Sequence, residues 1–467
     1  MEDNAFINRE TELAALESLW RSARAELLVL YGRRRVGKTE LLRRFCQGKA
    51  AVFFLAAQVK ETDNLDRFMT AVREALPSLD LSGVTFRDFP GALSLLARQA
   101  GRAPLAVILD EFPYLCEENP GLPSQLQAFW DQTARQTRLK LILCGSHVSF
   151  MERSVLAERS PLFGRRTAQQ RLLPLSPFDA VRFFPRYAEA ERLMLYGILG
   201  GTPAYLAIID PRLDMRENLL AMALRPQGYL YEEVPFLLRT ELMAPATYAS
   251  LLRAVAGGCT RLNEIAQRAG VEATTAGKYL TVLRDLALVR REVAFFDRAP
   301  ERSRRGLYVI QDNFILFWFR FILPNQLAIE AGQGERVYDE IILPALDGYM
   351  GPVFEDVCRE YMRLRWAARH GGFIRRVGRH WERDWDLDVA AEDSRGRLLV
   401  GECKWTRTPL GRDALAQFQS RAANHVLLAK RRPQLLYFSR AGFTPGAVRF
   451  ALDAGIQLIS VRDMLAH

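Results

Sequence analysis

The chain has 467 residues, and its 64 basic against 54 acidic side chains give it a formal net charge of +10. This length exceeds what one hydrophobic core usually organises, and 49% hydrophobic residues suffice for several cores. No apolar run reaches the roughly 18 residues of a membrane span, and residues 1–4 are acidic, unlike a secretion signal. We therefore expect a cytoplasmic protein of several domains without a membrane span.

Two further features of the composition indicate which partners and metal sites to expect. The basic surplus favours a polyanionic partner, nucleic acid above all, although a surplus of this size also suits simple solubility. The cysteines form no CxxC pair and lie mostly in apolar surroundings, which predicts buried free thiols rather than disulfides or zinc ligands. They are Cys46, Cys116, Cys144, Cys259, Cys358 and Cys403.

The first predicted strand, residues 27–30, runs directly into a phosphate-binding loop and then into a helix. The loop has the pattern GxxxxGKT, whose glycines let the backbone fold around an anion. Backbone N–H groups at the helix start would point at the phosphates of ATP, while the lysine reaches the outer phosphates and the threonine holds Mg²⁺. The predicted nucleotide-binding residues are Gly32, Arg33, Arg34, Arg35, Val36, Gly37, Lys38, Thr39 and Glu40.

A second buried strand, residues 105–109, ends in two acids and resembles a Walker B motif. Asp110 is expected to coordinate the water shell of Mg²⁺, and Glu111 to polarise the water that attacks the γ-phosphate. The alternative is an ordinary strand followed by a solvated acidic turn. The phosphate-binding loop upstream favours the catalytic interpretation.

A third strand, residues 139–143, ends in small polar residues, among which Ser146 is the candidate sensor of the γ-phosphate. Farther on, Arg165 offers a guanidinium that would neutralise charge in the transition state, in cis or across the interface of a homo-oligomer. A basic surface loop explains Arg165 equally well. The arginines inside the phosphate-binding loop likewise suit solvent or nucleic acid.

This arrangement resembles the archaeal ATPase family of P-loop NTPases. The likeness rests on the opening residues 6–10, the phosphate-binding loop, the acids at 110–111, the pair at 145–146 and residues 200–203. The resemblance implies ATP as cofactor, and it implies that Arg9 and Pro203 lie by the adenine.

The pattern changes to short helices in residues 244–256, 260–271 and 273–286, followed by strands at 288–293 and 307–310. Apolar residues share one face of each helix, and the order of elements predicts a winged helix-turn-helix. Such a unit sets its second helix into the major groove of DNA, although it also serves as an interdomain or protein-binding module. The candidate DNA contacts are Thr274, Thr275, Lys278, Arg284, Arg302, Arg304 and Arg305.

An aromatic stripe follows in residues 312–321. Base stacking is one interpretation, but the apolar density favours a buried helix packed against the winged unit. The sequence pattern at residues 308–319 resembles that of proteins in which an archaeal-type ATPase carries a C-terminal domain of unknown function.

The last part of the chain holds a second group of chemically competent residues. A polar turn at residues 392–396 predicts a hairpin with Asp388 on one strand and Glu402 and Lys404 on the other. Alternation by two puts Glu402 and Lys404 on one face of their strand. The carboxylates and the lysine would hold a divalent ion and orient a water, whereas the alternative is a structural Glu–Lys pair on an ordinary hairpin.

This pattern resembles the PD-(D/E)xK nuclease superfamily. The resemblance implies catalytic roles for Asp388, Glu402 and Lys404, a fourth acid at Glu355 in the preceding helix, and Mg²⁺ or Mn²⁺ as the metal. Leu387 departs from the pattern, which has proline there, without removing a ligand. Downstream, residues 435–440 and 456–461 are predicted strands.

The predicted fold is a multidomain α/β protein. Its parts are a P-loop ATPase core at 1–180, a helical lid and linker at 181–240, a winged helix at 241–324 and a restriction-endonuclease-like α/β domain at 325–467. The predicted function is an ATPase acting on nucleic acid, above all DNA, whose C-terminal nuclease is controlled by nucleotide state. The alternative is a nucleotide-dependent DNA-binding switch or scaffold whose C-terminal domain does not cleave.

Overall fold

The computed structural model describes residues 7–81, 83–101, 103–303 and 305–466. They divide into two compact units, with the boundary between Pro174 and Leu175. Phe6 of the opening motif and Arg304 of the predicted wing lie outside the described residues. Within those ranges, no helix has both the length and the apolar character that crossing a membrane requires.

The first unit is built on a parallel sheet with strand order β2-β3-β4-β1-β5. Three of its strands are buried along their whole length, as expected for a parallel sheet whose two faces are covered by helices. The three strands predicted in this region are therefore confirmed. The strands are β1 (Glu26–Tyr31), β2 (Ala51–Leu55), β3 (Leu105–Asp110), β4 (Leu139–Gly145) and β5 (Ala168–Arg171).

The helices of the first unit cover this sheet with their apolar faces. The helix after the phosphate-binding loop buries Leu41, Leu42 and Phe45 in a core shared with Leu28 and Ile108. The helices are α1 (Glu10–Arg21), α2 (Lys38–Cys46), α3 (Glu61–Ala75), α4 (Phe89–Gln99), α5 (Phe112–Glu118), α6 (Leu122–Gln132) and α7 (Val148–Phe150).

The second unit begins with helices and then forms a three-helix group closed by an antiparallel hairpin of β6 (Val289–Glu292) and β7 (Leu307–Ile310). Gly270 ends the middle helix of that group at φ +69°, a left-handed conformation that glycine adopts without strain. The helices and strands predicted here are present, and their assignment as a winged helix stays a prediction. The helices are α8 (Pro177–Ala180), α9 (Glu189–Leu199), α10 (Pro203–Leu206), α11 (Met215–Met222), α12 (Glu233–Glu241), α13 (Pro245–Ala256), α14 (Leu262–Ala269) and α15 (Ala273–Asp285).

The aromatic stripe is buried, as the apolar density predicted. It begins in α16 (Asn313–Phe317) and continues through a π-helical segment, Trp318–Ile322. Its buried aromatic side chains are Phe314, Phe317, Trp318, Phe319 and Phe321. A role in base stacking is therefore not available to this stripe.

A separate sheet forms the C-terminal part of the second unit, with strand order β12-β11-β10-β9-β8. The first three strands in sequence pair antiparallel, and the last three pair parallel. The predicted hairpin and the two later strands are thus confirmed. The strands are β8 (Ile374–Trp381), β9 (Asp386–Asp393), β10 (Leu398–Lys404), β11 (Gln434–Ser439) and β12 (Ile456–Ser460).

Helices precede and cover this second sheet. The core between sheet and helices includes Ala390, Val400, Leu415, Phe418 and Tyr437. The six cysteines of the chain are free thiols, four of them buried. The helices are α17 (Gln326–Glu330), α18 (Gly334–Arg336), α19 (Leu343–Leu364), α20 (Trp366–His370), α21 (Arg412–Asn424), α22 (Val426–Arg431), α23 (Pro445–Ala454) and α24 (Val461–Leu465).

Candidate functional site

The loop between β1 and α2 has the geometry of an anion-binding turn. A Cβ added to Gly32 would lie 2.3 Å from the carbonyl oxygen of Leu172, so only glycine fits there. Gly37 precedes the first turn of α2 at φ +90°, a left-handed conformation. The Nζ of Lys38 donates to the carbonyl oxygens of Gly32 at 2.8 Å and Arg33 at 3.0 Å, so the ammonium already lies within the loop.

Thr39 and Asp110 meet at the carboxyl end of the parallel sheet. The Oγ1 of Thr39 donates to Oδ2 of Asp110 at 2.8 Å, although the two residues are 71 positions apart. Asp110 is buried, and its Oδ1 accepts the backbone N–H of Glu111 at 3.0 Å. A hydroxyl next to a carboxylate suits the water shell of Mg²⁺, which prefers hard oxygen ligands.

Glu111 and Ser146 form a second contact beside this pair. The Oγ of Ser146 lies 2.7 Å and 2.6 Å from the two carboxylate oxygens of Glu111. Glu111 itself has φ +53°, an unfavourable conformation for a residue with a side chain. A Cβ on Gly145 would come within 2.9 Å of Pro113, so this glycine permits the close packing next to Ser146.

Other predicted site residues make contacts that the sequence did not indicate. Arg9, at φ +82°, donates to the carbonyl oxygens of Val36 at 3.1 Å and Leu173 at 2.6 Å. Its side chain therefore connects the phosphate-binding loop to the segment that follows β5. Arg165 donates to Asp131 at 3.0 Å. Pro203 opens α10 in the second unit. The roles proposed for Arg9 and Pro203 at the adenine and for Arg165 in the transition state stay predictions.

The parallel sheet, the loop that opens α2 and the Thr39–Asp110 pair define a P-loop ATPase fold. A family described as "ATPase domain predominantly from Archaea" matches residues 6–209, and one described as "Archaea bacterial proteins of unknown function" matches residues 318–421. An uncharacterized protein of Methanocaldococcus jannaschii is 33% identical over 403 residues, which are 86% of this chain and 87% of that protein. The chain therefore belongs to the archaeal ATPase family with this C-terminal domain, as its motifs predicted, and its first unit is a nucleotide-binding ATPase domain.

Two shorter or more distant similarities agree with this assignment. An uncharacterized ATP-binding protein of the same organism is 52% identical over 44 residues, which are 9% of this chain and 75% of that protein. The Walker-type ATPase of Pyrococcus abyssi has a TM-score of 0.51 at 20% identity, over 68% of this chain and 96% of that one. At this identity the likeness concerns the fold alone.

The second group of predicted residues lies on the C-terminal sheet. Lys404 donates to Oε1 of Glu402 at 2.7 Å, which confirms that the two side chains share a face of β10. Arg421, on α21, donates to the other oxygen of Glu402 at 2.5 Å. Asp388, on β9, accepts the backbone N–H of Cys403 at 2.8 Å.

The acids of this group influence one another electrostatically. Burial, reinforced by the charge of Asp388, raises the pKa of Glu355 to about 7. Burial, reinforced by the charge of Glu402, raises the pKa of Asp388 to about 6. Burial acts to lower the pKa of Lys404, but its hydrogen bond to Glu402 and the negative charges of Glu402 and Asp388 together outweigh burial and leave that pKa raised. Since the negative charges oppose one another, the cluster favours a bound proton or another cation.

The carboxylate oxygens of this cluster are the kind of ligand that a hard divalent cation prefers. Their present arrangement, however, is not that of a metal site. Among the described residues, no group of three or more histidine, cysteine or acidic side chains is close enough to hold a metal ion. Glu402 has both oxygens occupied by basic side chains, and Asp388 uses one oxygen to accept a backbone N–H. The metal-binding roles of Glu355, Asp388 and Glu402 therefore stay predictions.

A partly buried ion-pair network that the sequence did not reveal lies next to this cluster. Arg290, on β6, donates to both oxygens of Asp356 at 2.6 Å. Asp356 also pairs with Arg359, whose Nη1 donates to the carbonyl oxygen of Asp388 at 2.6 Å. Burial acts to raise the pKa of Asp356, yet the charges of Arg290 and Arg359 lower it to about 2. The network thus ties the hairpin to α19 and to the strand that carries Asp388.

The predicted DNA contacts are mostly accessible. Thr275 is half-buried. The exposed candidates among the described residues are Thr274, Lys278, Arg284, Arg302 and Arg305.

Proposed function

We propose that this protein hydrolyses ATP and acts on nucleic acid, above all DNA, and that its C-terminal sheet domain is a nuclease of the PD-(D/E)xK type controlled by nucleotide state. The observation that carries the ATPase function is the pairing of Thr39 with Asp110 beside a Glu111 held by Ser146. When bound, Mg²⁺ would neutralise charge on the β- and γ-phosphates.

The residues of the first unit have separate tasks in this proposal. Lys38 leaves the carbonyl oxygens of its own loop and donates to the outer phosphates. Thr39 and Asp110 would hold Mg²⁺ and its water shell, and Glu111 orients the attacking water toward the γ-phosphate. Ser146 limits the rotation of the Glu111 carboxylate, since it contacts both of its oxygens.

The ATPase proposal is tested with two variants. Lys38→Ala removes the charge that binds the outer phosphates, so we expect weaker binding of a fluorescent ATP analogue. Glu111→Gln keeps the shape of the side chain, so we expect retained binding and hydrolysis slowed by roughly two or more orders of magnitude. Unchanged hydrolysis rates in both variants would rule out the proposed site.

The DNA-binding proposal rests on the net charge of +10 and on the exposed candidates around α15 and the hairpin. The double variant Lys278→Ala with Arg302→Ala removes two phosphate contacts, so we expect weaker binding and a salt slope reduced by about 2. Arg336→Ala, which removes an exposed charge paired with Glu340, is the matched control. An unchanged affinity and salt slope would exclude this surface as the DNA contact.

The nuclease proposal is supported by the order of elements in the C-terminal domain. Helix α19 carries Glu355, the antiparallel strands carry Asp388, Glu402 and Lys404, and helix α21 leads to the parallel strands. Alternation along β10 turns Glu402 and Lys404 toward the same side. In the proposed nuclease, these acids would hold a divalent cation and the water that attacks the phosphodiester.

A second candidate function is a nucleotide-dependent DNA-binding switch without cleavage. It is favoured by the two basic side chains that already neutralise Glu402. Plasmid and single-stranded DNA incubated with Mg²⁺ or Mn²⁺ separate the two candidates. Nicking that is abolished by Glu402→Ala and by Lys404→Ala supports the nuclease, whereas DNA binding without cleavage under either metal supports the switch.

A further inference from the structure

Glu402 is neutralised from both sides by side chains of different elements. Lys404, two residues along the same strand, occupies Oε1 at 2.7 Å, and Arg421 reaches Oε2 from α21 at 2.5 Å. The Glu402 side chain is 11% exposed, so its charge has little access to water. A carboxylate in such a position needs a cation beside it.

The two basic partners are not equivalent. Lys404 lies next to Glu402 on β10 and also interacts with Asp388, so it belongs to the acid cluster itself. The Arg421 side chain is 46% exposed and projects from a helix whose buried residues are Leu415, Phe418 and Ala422. Its guanidinium can therefore move into water without disturbing the core.

We infer that Arg421 is an internal competitor for the divalent cation at Glu402. Its guanidinium occupies the carboxylate oxygen that a cation of the Mg²⁺ class would use, and the cation binds only when the guanidinium leaves. This inference rests on the proposed nuclease-type site. It accounts for a carboxylate that would serve as a cation ligand but has both oxygens occupied by basic side chains.

Two properties of the guanidinium suit this exchange. Arginine stays protonated at every accessible pH, so the competitor leaves by movement of the side chain and not by losing a proton. Guanidinium also binds phosphate in a planar, two-point geometry. A nucleic acid phosphate at the site would accept the displaced Arg421, so cation and substrate would open the site together.

The test measures Mn²⁺ binding to the nucleotide-free full chain. The concentration of free Mn²⁺ is determined from its electron paramagnetic resonance signal. Binding that Glu402→Ala removes is assigned to this site. Arg421→Gln removes the competing charge, and we expect its Mn²⁺ affinity at this site to be roughly tenfold higher than that of the wild type. Arg421→Lys keeps a cation there, so we expect a smaller increase.

Arg397→Gln is the matched control, because Arg397 is 48% exposed and pairs with a buried acid, Asp393, at the far end of the hairpin. Its Mn²⁺ affinity should equal that of the wild type. A Mn²⁺ affinity of Arg421→Gln equal to or below the wild-type value overturns the inference, while wild-type binding that depends on Glu402 leaves the proposed site intact. If neither the wild type nor Arg421→Gln shows binding that depends on Glu402, both the proposed metal site and the competing role of Arg421 are ruled out.

Discussion

The contact between Ser146 and Glu111 bears on how the proposed catalytic carboxylate is oriented. Sensor residues in an ATPase are expected to contact the γ-phosphate, whereas here the hydroxyl of Ser146 donates to the carboxylate of Glu111. Bound to Ser146, that carboxylate has one fewer lone pair free for an attacking water. In the proposed mechanism, the serine therefore orients the carboxylate of Glu111.

Ser146→Ala tests this role. The variant leaves Lys38 and Thr39 untouched, so we expect ATP affinity within roughly threefold of the wild type and hydrolysis slowed by roughly tenfold to a hundredfold, since water positioning dominates this chemistry. Ser160→Ala is the control, because the buried Ser160 donates to the carbonyl oxygen of Ser154 and has no contact with Glu111. A kcat of Ser146→Ala equal to that of the control would contradict the role.

A second prediction concerns the proton held by Glu355. Its pKa is raised from 4.5 to about 7, so between these values the folded protein binds a proton that the unfolded chain releases. This group therefore stabilises the fold less as pH rises toward 7, and the raised pKa of Asp388 acts in the same direction. His380 acts in the opposite direction, because burial lowers its pKa.

Glu355→Gln isolates the contribution of Glu355 from these other groups. The variant cannot ionise, so we expect it to be more stable than the wild type by roughly 2 kcal/mol at pH 8, with a smaller difference at pH 5.5. Denaturant titrations of both proteins at the two pH values measure this difference. A stability difference that does not change with pH would mean that Glu355 is ionised throughout.

At the scale of elements, the ion pair between β6 and α19 joins the predicted wing to the C-terminal domain. Asp356 is shared by Arg290 and Arg359, and the three side chains are partly buried. Removing the acid leaves Arg290 paired with Glu292 at 2.8 Å and Arg359 at 3.6 Å from Glu355. An acid that accepts from two partly buried arginines contributes more than one member of an isolated exposed pair.

Asp356→Ala is therefore expected to destabilise the fold by about 2 kcal/mol, because it removes charge-assisted hydrogen bonds to two arginines. Asp339→Ala breaks the 2.7 Å pair with Arg216 at the surface and should leave the unfolding transition almost unchanged. Denaturant titration at pH 7 compares both variants with the wild type. If the two variants unfold at the same denaturant concentration, the network contributes no more than a surface ion pair.

The elements themselves were predictable, because burial leaves a local pattern in the sequence. The apolar run before Asp110 predicted β3, and the polar turn between Asp388 and Glu402 predicted the hairpin of β9 and β10. The choice of ionic partners was not predictable. Arg290 and Asp356 are 66 residues apart, and periodicity indicates the face on which a side chain lies but not the residue that it meets.

The same limit explains why the contacts of Arg421 and Arg9 could not be predicted from the sequence. The Arg421 side chain is 46% exposed, yet its guanidinium reaches Glu402 from a different element. A family motif implied a place by the adenine for Arg9, whereas its observed contacts are with backbone carbonyl oxygens of the loop and of Leu173. Long arginine side chains can bridge elements that no short motif connects.

At the scale of the whole molecule, the two proposed activities reside in different units. The phosphate-binding loop lies in the first, and the exposed basic candidates and the acid cluster lie in the second. Nucleotide control of the second unit must therefore appear as a coupling free energy between two binding sites. Such coupling is reciprocal, which provides two independent measurements of one quantity.

We expect DNA affinity to differ by roughly fivefold or more between the ADP-bound protein and the protein bound to a non-hydrolysable ATP analogue. DNA should then change the ratio of the affinities for the two nucleotides by the same factor. Fluorescence anisotropy of a labelled duplex at constant salt gives the first value, and competition with a fluorescent nucleotide gives the second. Lys38→Ala, which weakens nucleotide binding, should leave DNA affinity insensitive to either nucleotide at the same concentrations. Equal DNA affinities in the two nucleotide states of the wild type would show that the phosphate-binding loop does not govern DNA binding by the second unit.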